Sequence, residues 1–364
     1  PVVCPIDAEC RFTAEVADYQ GRPVKETDRD IIRRLKDEGK LIHQSTCQHS
    51  YPHCWRCETP LIYRAVSTWF VKVEQLKDRL LAANAQIHWV PEHIKDGRFG
   101  NWLKNAHDWA VSRNRYWGCP LPVWRNEEGE TLCVGSVAEL EQRTGRRVED
   151  IHKHFVDDLE IPSPAGGRPL RRVPEVLDCW FESGSMPYAQ HHYPFESKAH
   201  VEAHFPADFI AEGLDQTRGW FYTLVVLGVA LFDKPAFRHV VVNGMVLAED
   251  GKKMSKRLKN YPDPIEVMNT YGADALRLTL LASPVVRGED LRFSDKAVRE
   301  VMRTVILPIW NAYSFLVTYA RVDGWQPDTA VAAPPPEPHN TLDRWILSRL
   351  EGTVADVAAA MDDY

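Results

Sequence analysis

Pro206-Ala-Asp-Phe-Ile-Ala-Glu212, Gly213, Asp215-Gln-Thr-Arg218, the apolar body Trp220 to Phe232, and His239-Val-Val-Val-Asn243 follow one another in an order that decides the fold. The first and last runs are short, apolar and bounded by turn residues, and the middle one is long enough for a helix. Two buried strands flanking a helix make a βαβ crossover. Ligands of such units sit at the carboxyl ends of the strands. Glu212 to Gln216 falls at one such end, and the basic loop Lys252-Lys-Met-Ser-Lys-Arg257, entered through Ala248-Glu-Asp-Gly251, falls at the other. The two segments can therefore face one ligand. Gly213 and Gly251 permit close backbone approach, Asp215 and Gln216 offer acceptors and donors at a helix start, and Lys253 and Lys256 supply mobile charge. That set suits a nucleotide whose polyphosphate gains charge during reaction. Taken without further context, the same glutamate and lysines read as a solvated loop.

Working outward, further words of sequence carry a resemblance. Lys253-Met-Ser-Lys-Arg257 resembles the KMSKS-type signature of class I aminoacyl-tRNA synthetases, and Glu212-Gly-Leu-Asp-Gln-Thr-Arg-Gly-Trp-Phe221 is similar to the adenylate-binding segment of the isoleucyl members. Asp178-Cys-Trp-Phe-Glu-Ser-Gly184, His49-Ser-Tyr-Pro-His-Cys-Trp-Arg-Cys57 and Ser112-Arg-Asn-Arg-Tyr-Trp-Gly118 follow the same family's order. The resemblance covers essentially the whole chain, and the Lys-Arg ending at 256 and 257 points to the eukaryote-like branch. It implies an α/β fold: the second half of a Rossmann-type nucleotide-binding domain with insertions, followed by an α-helical segment. It also implies a domain order: residues 1–20 as the tail of an editing insertion, 21–60 as a linker with a CxxC knuckle, and 61–118 as part of the catalytic fold. Then come 119–175 as a connective insertion, 176–247 as the second half of the catalytic fold, 248–298 as the signature loop and stem-contact region, and 299–364 as the start of a helical anticodon-binding domain.

Composition is that of an ordinary globular chain: 364 residues, 44% hydrophobic and 26% charged. The net charge of -7 argues against a general DNA coater, whose affinity would rest on neutralising phosphates, so RNA contact has to be local. Eight cysteines at uneven spacings do not make a disulfide framework and favour a reducing cytoplasm. No apolar run approaches membrane-spanning length. The chain begins at Pro1 and reads as a piece of a longer protein.

Smaller features are read in order. Asp28 to Glu38 is expected to be a helix with Asp28 as its cap, Thr59 to Val73 a strand leading into a helix that runs to Ala83, and Trp102 to Trp109 helical by spacing. Cys54-Trp-Arg-Cys57 has knuckle spacing, but tetrahedral zinc needs four ligands and this pair supplies two. A pair of reduced thiols in a loop and half of a Zn2+ site, completed by a pair upstream as in the family, both remain open. Arg113 to Gly118 interleaves basic and aromatic side chains that can stack on RNA or nucleotide, or pack as core tryptophans beside solvated arginines. A helix is expected at Val137 to Thr144. His200 and His204 lack the glutamate placement of a zinc helix and read as a solvated face. Tyr271 to Leu281 and Asp295 to Ala320 are expected helices, the second with a kink at Pro308, and Pro334 to Pro338 a rigid linker.

By the residue match, Glu212, Gly213, Asp215, Gln216, Lys253, Met254, Ser255 and Lys256 bind ATP and the adenylate, Lys253 and Lys256 are catalytic through the pyrophosphate, and Trp180 and Trp220 wall the amino acid pocket. The tryptophans have an alternative as ordinary core residues. The implied partners are isoleucine, ATP with Mg2+ and tRNA(Ile), with no DNA or membrane, in a cytoplasmic monomer. The implied reaction needs no base, because an ionised carboxylate attacks the α-phosphate unaided and the protein's work is positioning and charge stabilisation. A Walker loop is excluded, since Gly251-Lys252 is followed by Lys253 where Ser or Thr is required. The family's HIGH signature is absent from these residues, so the chain by itself is expected to be inactive. A non-catalytic tRNA- or protein-binding module stands as the rival.

Overall fold

The computed structural model describes residues 3–54, 57–255, 258–326 and 340–364. It divides into two compact units, Pro1–Trp69 and Phe70–Tyr364. In the first, Val24–Asp37 is the regular helix. It starts ahead of the expected Asp28 because Pro23 already carries the extended backbone of an N-cap, which leaves Asp28 inside the helix; the buried Thr27 hydroxyl donates to the Pro23 carbonyl at 2.7 Å.

The second unit is built on a parallel sheet in the order Ala207–Gly213, Phe237–Asn243, His88–Val90. Ala207 to Gly213 runs in register with Phe237 to Asn243, so Gly213 lies opposite Asn243, and His239 to Val241 pair with His88 to Val90 on the other side. Trp220–Phe232 is the crossover helix between the two longer strands. It is apolar on every side, which suits a helix covered on all faces, and Phe221, Leu224, Val225, Val226 and Val229 are almost fully buried. Each such side chain contributes about 1.5–3 kcal/mol of burial. At its end the Val229 carbonyl accepts both the Asp233 N–H (3.2 Å) and Arg79 (2.7 Å), and Arg79 also pairs with Asp233, which stands in the left-handed region. A second helix, Cys179–Ala189, presses against the crossover helix through Gly184, where an added Cβ would lie 3.0 Å from both Thr223 and Leu227.

Residues 119–175 carry an antiparallel four-stranded sheet with a core of its own, formed by Trp124, Val134, Leu140, Val156, Leu159, Ile161 and Leu170. The helix Val137–Thr144 has the expected bounds. Ser136 accepts from the Glu139 N–H, Glu139 accepts from the Gly135 N–H, and Gly145 closes the helix at φ 66°.

Four further expectations are corrected. The strand placed from Thr59 shrinks to Phe70–Val71, followed by a tight turn, Val73–Leu76, and the helix Lys77–Ala85. Trp102 to Trp109 is only helical through Lys104, and Trp109 joins a strand that pairs with Val71. The helix expected from Tyr271 is two, Pro264–Tyr271 and Ala273–Leu281, because Gly272 at φ 87° breaks the chain between them. The fourth concerns membrane-spanning length: Asp295–Val322 forms a helix of 28 residues with mean hydropathy 1.2 in its best window, long and apolar enough by length and composition to cross a bilayer. One such helix is weak evidence, since helices of water-soluble folds pass the same test. Its irregularity sits at Met302–Ile306, a wide turn that ends two residues ahead of Pro308, whose missing N–H and bulky ring cannot follow a regular turn. The Pro334 to Pro338 linker lies outside the described residues.

Candidate nucleotide site

The site is assembled where the parallel strands end. Gly213 is the last residue of its strand, and an added Cβ there would lie 2.9 Å from Asp215 Oδ1 and 3.7 Å from Asn243 Nδ2, so a side chain would push the Asp215 carboxylate from its place. Leu214–Arg218 then makes one tight helical turn. Thr217, fully buried, donates to the Leu214 carbonyl at 2.7 Å and accepts from Arg98 Nε at 3.0 Å. Glu212 and Asp215 remain exposed at the rim. Gln216 is engaged within the protein: its Nε2 donates to Asp215 (3.1 Å) and its Oε1 accepts the Trp220 N–H (3.1 Å), satisfying a free donor at the head of the crossover helix.

The two tryptophans take different places. Trp180, 40% exposed, lays its ring against Gly219, 3.2 Å from where a Cβ would be, beside Gln216. Trp220 turns its ring between the two helices, donates from Nε1 to the Ser183 carbonyl (3.0 Å) and borders a cavity of about 170 Å³ with Met186, His191 and His200. His200 and His204 are exposed and stacked 4.3 Å apart.

Trp180 is held by a network that joins two of the words singled out in the sequence. Ser112–Arg113 pairs antiparallel with Val176–Leu177, which brings Arg113 to the buried Asp178 at 2.7 Å. Asp178 also accepts from Trp109 Nε1 (3.2 Å) and caps its own helix by accepting from the Trp180 N–H. Arg113 is thus an ion-pair partner, where solvation was one expectation. Trp117 is 67% exposed and stacks on His152, away from the core. Beyond Asp178 opens a cavity of about 700 Å³ bordered by Arg113, Arg115, Trp117, Cys119 and Glu182. Burial pushes the Cys119 thiol up, and the nearby Glu182 carboxylate adds to it.

The signature loop leaves the middle strand. Val246–Leu247 pairs in parallel with Leu291–Arg292, and Leu247 bridges Lys253. Gly251 stands at φ 79° in the turn between them. Lys253 is exposed, while Met254 and Ser255 are half-buried and Met254 packs on the helical core of Val267, Ala275, Phe293 and Val298. Lys256 and Arg257 lie outside the described residues, as do Trp55 and Arg56 of the CxxC segment. The Thr59 hydroxyl, 2.9 Å from Cys57, and the neighbouring Cys54 hold the Cys57 thiol below its ordinary range. Among the described residues no group of three or more His, Cys, Asp or Glu is arranged to hold a metal ion. The pair therefore supplies only half of a tetrahedral donor set.

Arg98 and Asn260 join the site without having been singled out in the sequence. Arg98 supports Thr217 across 119 residues of chain, and an isolated arginine gives no pattern to read. Asn260 accepts from the Ser255 N–H (2.9 Å) and donates to the Lys253 carbonyl (3.1 Å).

The family model described as tRNA synthetases class I (I, L, M and V) matches residues 8–293. An isoleucine–tRNA ligase of Treponema denticola is 59% identical over 374 residues, and those of Protochlamydia amoebophila and Bdellovibrio bacteriovorus are 59% identical over 362 and 364 residues. Each match takes in 100% of this chain and 34% of the relative, so the chain spans about a third of their length. Among solved structures, a Mycobacterium tuberculosis methionyl-tRNA synthetase in complex with methionyl-adenylate superposes with TM-score 0.57 at 18% identity, covering 96% of this chain and 64% of that one. An Agrobacterium radiobacter LeuRS in ternary complex with tRNA and LeuAMS gives TM-score 0.52 at 24% identity over 70% and 34% of the two chains.

Proposed function

The chain belongs to the class I tRNA synthetases of the isoleucine, leucine, methionine and valine group, and from that premise we propose that it is the part of an isoleucine–tRNA ligase that holds the adenylate and the leaving pyrophosphate. The observation that carries this reading is the pairing of Gly213 with Asn243. It sets the acidic turn Glu212 to Gln216 and the base of the Lys253 loop at the ends of neighbouring parallel strands. In this reading an isoleucine carboxylate oxygen attacks the α-phosphorus of ATP, supplied with Mg2+. The new carboxyl–phosphate bond forms as the bond to the β-phosphate oxygen breaks, and pyrophosphate leaves. The tRNA(Ile) 3′ end then takes the isoleucyl group and releases AMP.

Glu212 and Asp215 hold the ammonium and the adenylate, Gly213 admits the ribose against bare backbone, and Gln216 bonds the adenylate. Lys253, with Met254 and Ser255 fixing its loop, and Lys256 steady charge on the departing pyrophosphate. Trp180, resting on Gly219, and Trp220 wall the amino acid side chain. We place this chemistry in the cytoplasm, in a monomer. The test is isoleucine-dependent exchange of pyrophosphate into ATP by the full-length protein. Exchange driven by isoleucine in preference to leucine, methionine and valine supports the reading; tRNA binding without any exchange would replace it with the binding module.

Cys54 and Cys57 fit the same reading as two thiolates of a Zn2+ site whose remaining ligands come from elsewhere in the full-length protein. Metal analysis of that protein should return about one zinc per chain, lost in Cys54→Ser and Cys57→Ser. Retention of zinc in both variants would remove these thiols from the site.

A further inference from the structure

We propose that Asn260 is a positioning residue for Lys253, closing the signature loop with both ends of one amide. The inference rests on the function proposed above. Asn260 Oδ1 accepts the Ser255 N–H at 2.9 Å and its Nδ2 donates to the Lys253 carbonyl at 3.1 Å. An amide is suited to this because it offers a donor and an acceptor on the same short side chain. The opposite side of Lys253 is held by its bridge to Leu247, and the flanking Lys252 carbonyl accepts the Ala248 N–H at 2.9 Å. The Lys252 side chain is drawn aside by Asp250, 3.1 Å away.

Met254 points into the helical core, and Asn260 itself is half-buried beside Met254 in a cavity of about 370 Å³ below the loop. With Met254 inward and its backbone clamped on both sides, Lys253 is presented outward. Among the described residues from Lys253 to Asn260 there is no strand or helix, and the backbone there is tied by the Lys259 N–H donating to the Ser255 carbonyl (2.9 Å) together with the two Asn260 bonds. Two hydrogen bonds of ordinary strength decide between a presented and a wandering lysine, and misplacement of a charge-stabilising group is read in the rate rather than in ground-state binding.

The experiment is pyrophosphate exchange by the full-length protein carrying Asn260→Ala, Asn260→Asp, Lys253→Ala and the double substitution Asn260→Ala with Lys253→Ala. Asn260→Ala should lower kcat about tenfold with an unchanged isoleucine KM. Asn260→Asp, which keeps the acceptor for Ser255 but sets an oxygen against the Lys253 carbonyl, should be at least as slow. Because Asn260 acts through Lys253, adding Asn260→Ala to Lys253→Ala should cost less than twofold more. Wild-type kcat in Asn260→Ala overturns the inference, and so does an undiminished tenfold loss in the Lys253→Ala background. If Asn260→Ala and Asn260→Asp both melt well below the parent, Asn260 is a scaffold residue and the inference also fails. Absence of exchange in the unsubstituted protein is a different result: it removes the proposed function and this inference with it.

Discussion

Asp178 joins three segments of the chain through one carboxylate. One carboxylate accepts from Arg113, from the Trp109 indole and from its own helix start, and its side chain is 3% exposed. Removing one member of a buried pair leaves the other charge uncompensated, at a cost of about 3 kcal/mol or more when both are fully buried. Arg113 is 38% exposed, so solvent recovers part of that, and Asp178→Asn should destabilise by about 2 kcal/mol in urea melts. A change below about 0.5 kcal/mol would show that water already screens the pair. Asp178→Asn should also loosen Trp180 from Gly219, readable as a shift in tryptophan emission.

At the scale of elements, the connective insertion is fastened by charge as well as by its apolar core. Burial pushes the Asp157 carboxyl up, but Lys153 at 2.7 Å and Arg172 on its other side outweigh burial and hold it below the usual carboxylate range. A carboxylate whose pKa is lower in the folded chain stabilises the fold above its unfolded value, about 3.9, and that contribution disappears as pH falls through the lowered folded value. The melting temperature of Asp157→Asn should therefore lie below the parent's at pH 7, with the gap closing below about pH 4. A gap that stays constant down to pH 3 would mean that the side chain acts by shape alone.

Elements also show what the sequence made legible. The βαβ crossover could be read because its second strand is β-branched and its helix is apolar on every side, although the first strand, expected to be buried, lies at the sheet edge with none of its residues fully buried. Asp28 misled because a plausible cap residue sat inside a helix that Pro23 had already started. Trp102 to Trp109 misled because aromatic spacing describes a buried stripe without saying whether the backbone under it is helix or strand. Within the site, Gly213 and Lys253 stand in recognisable words. Arg98 and Asn260 act by reaching another segment or closing a loop, and such contacts leave no periodic trace.

The whole molecule is covered unevenly. Ile309, Trp310, Phe315 and Leu316 on the long helix, and Trp345, Leu350 and Val354 on Thr341–Asp363, are all more than half exposed. Substitutions at such positions usually change stability by less than about 0.5 kcal/mol. Ile309→Gln with Phe315→Gln in the 364-residue chain should thus leave the melt unchanged while lowering the binding of an apolar dye. A drop in melting temperature of several degrees would show that this face is packed in solution. The anchoring of the long helix has a mechanical consequence. An added Cβ at Gly244 would overlap the Glu289 carbonyl, the Gly244 N–H donates to the Val285 carbonyl, and Val246–Leu247 pairs with Leu291–Arg292 just before Asp295. The helix, about 42 Å long at 1.5 Å per residue, is therefore a lever riveted at its near end to the root of the Lys253 loop. A load applied to its outer arm reaches that root across a few residues of backbone, bypassing the sheet, and the torque is felt first where the lysine is mounted.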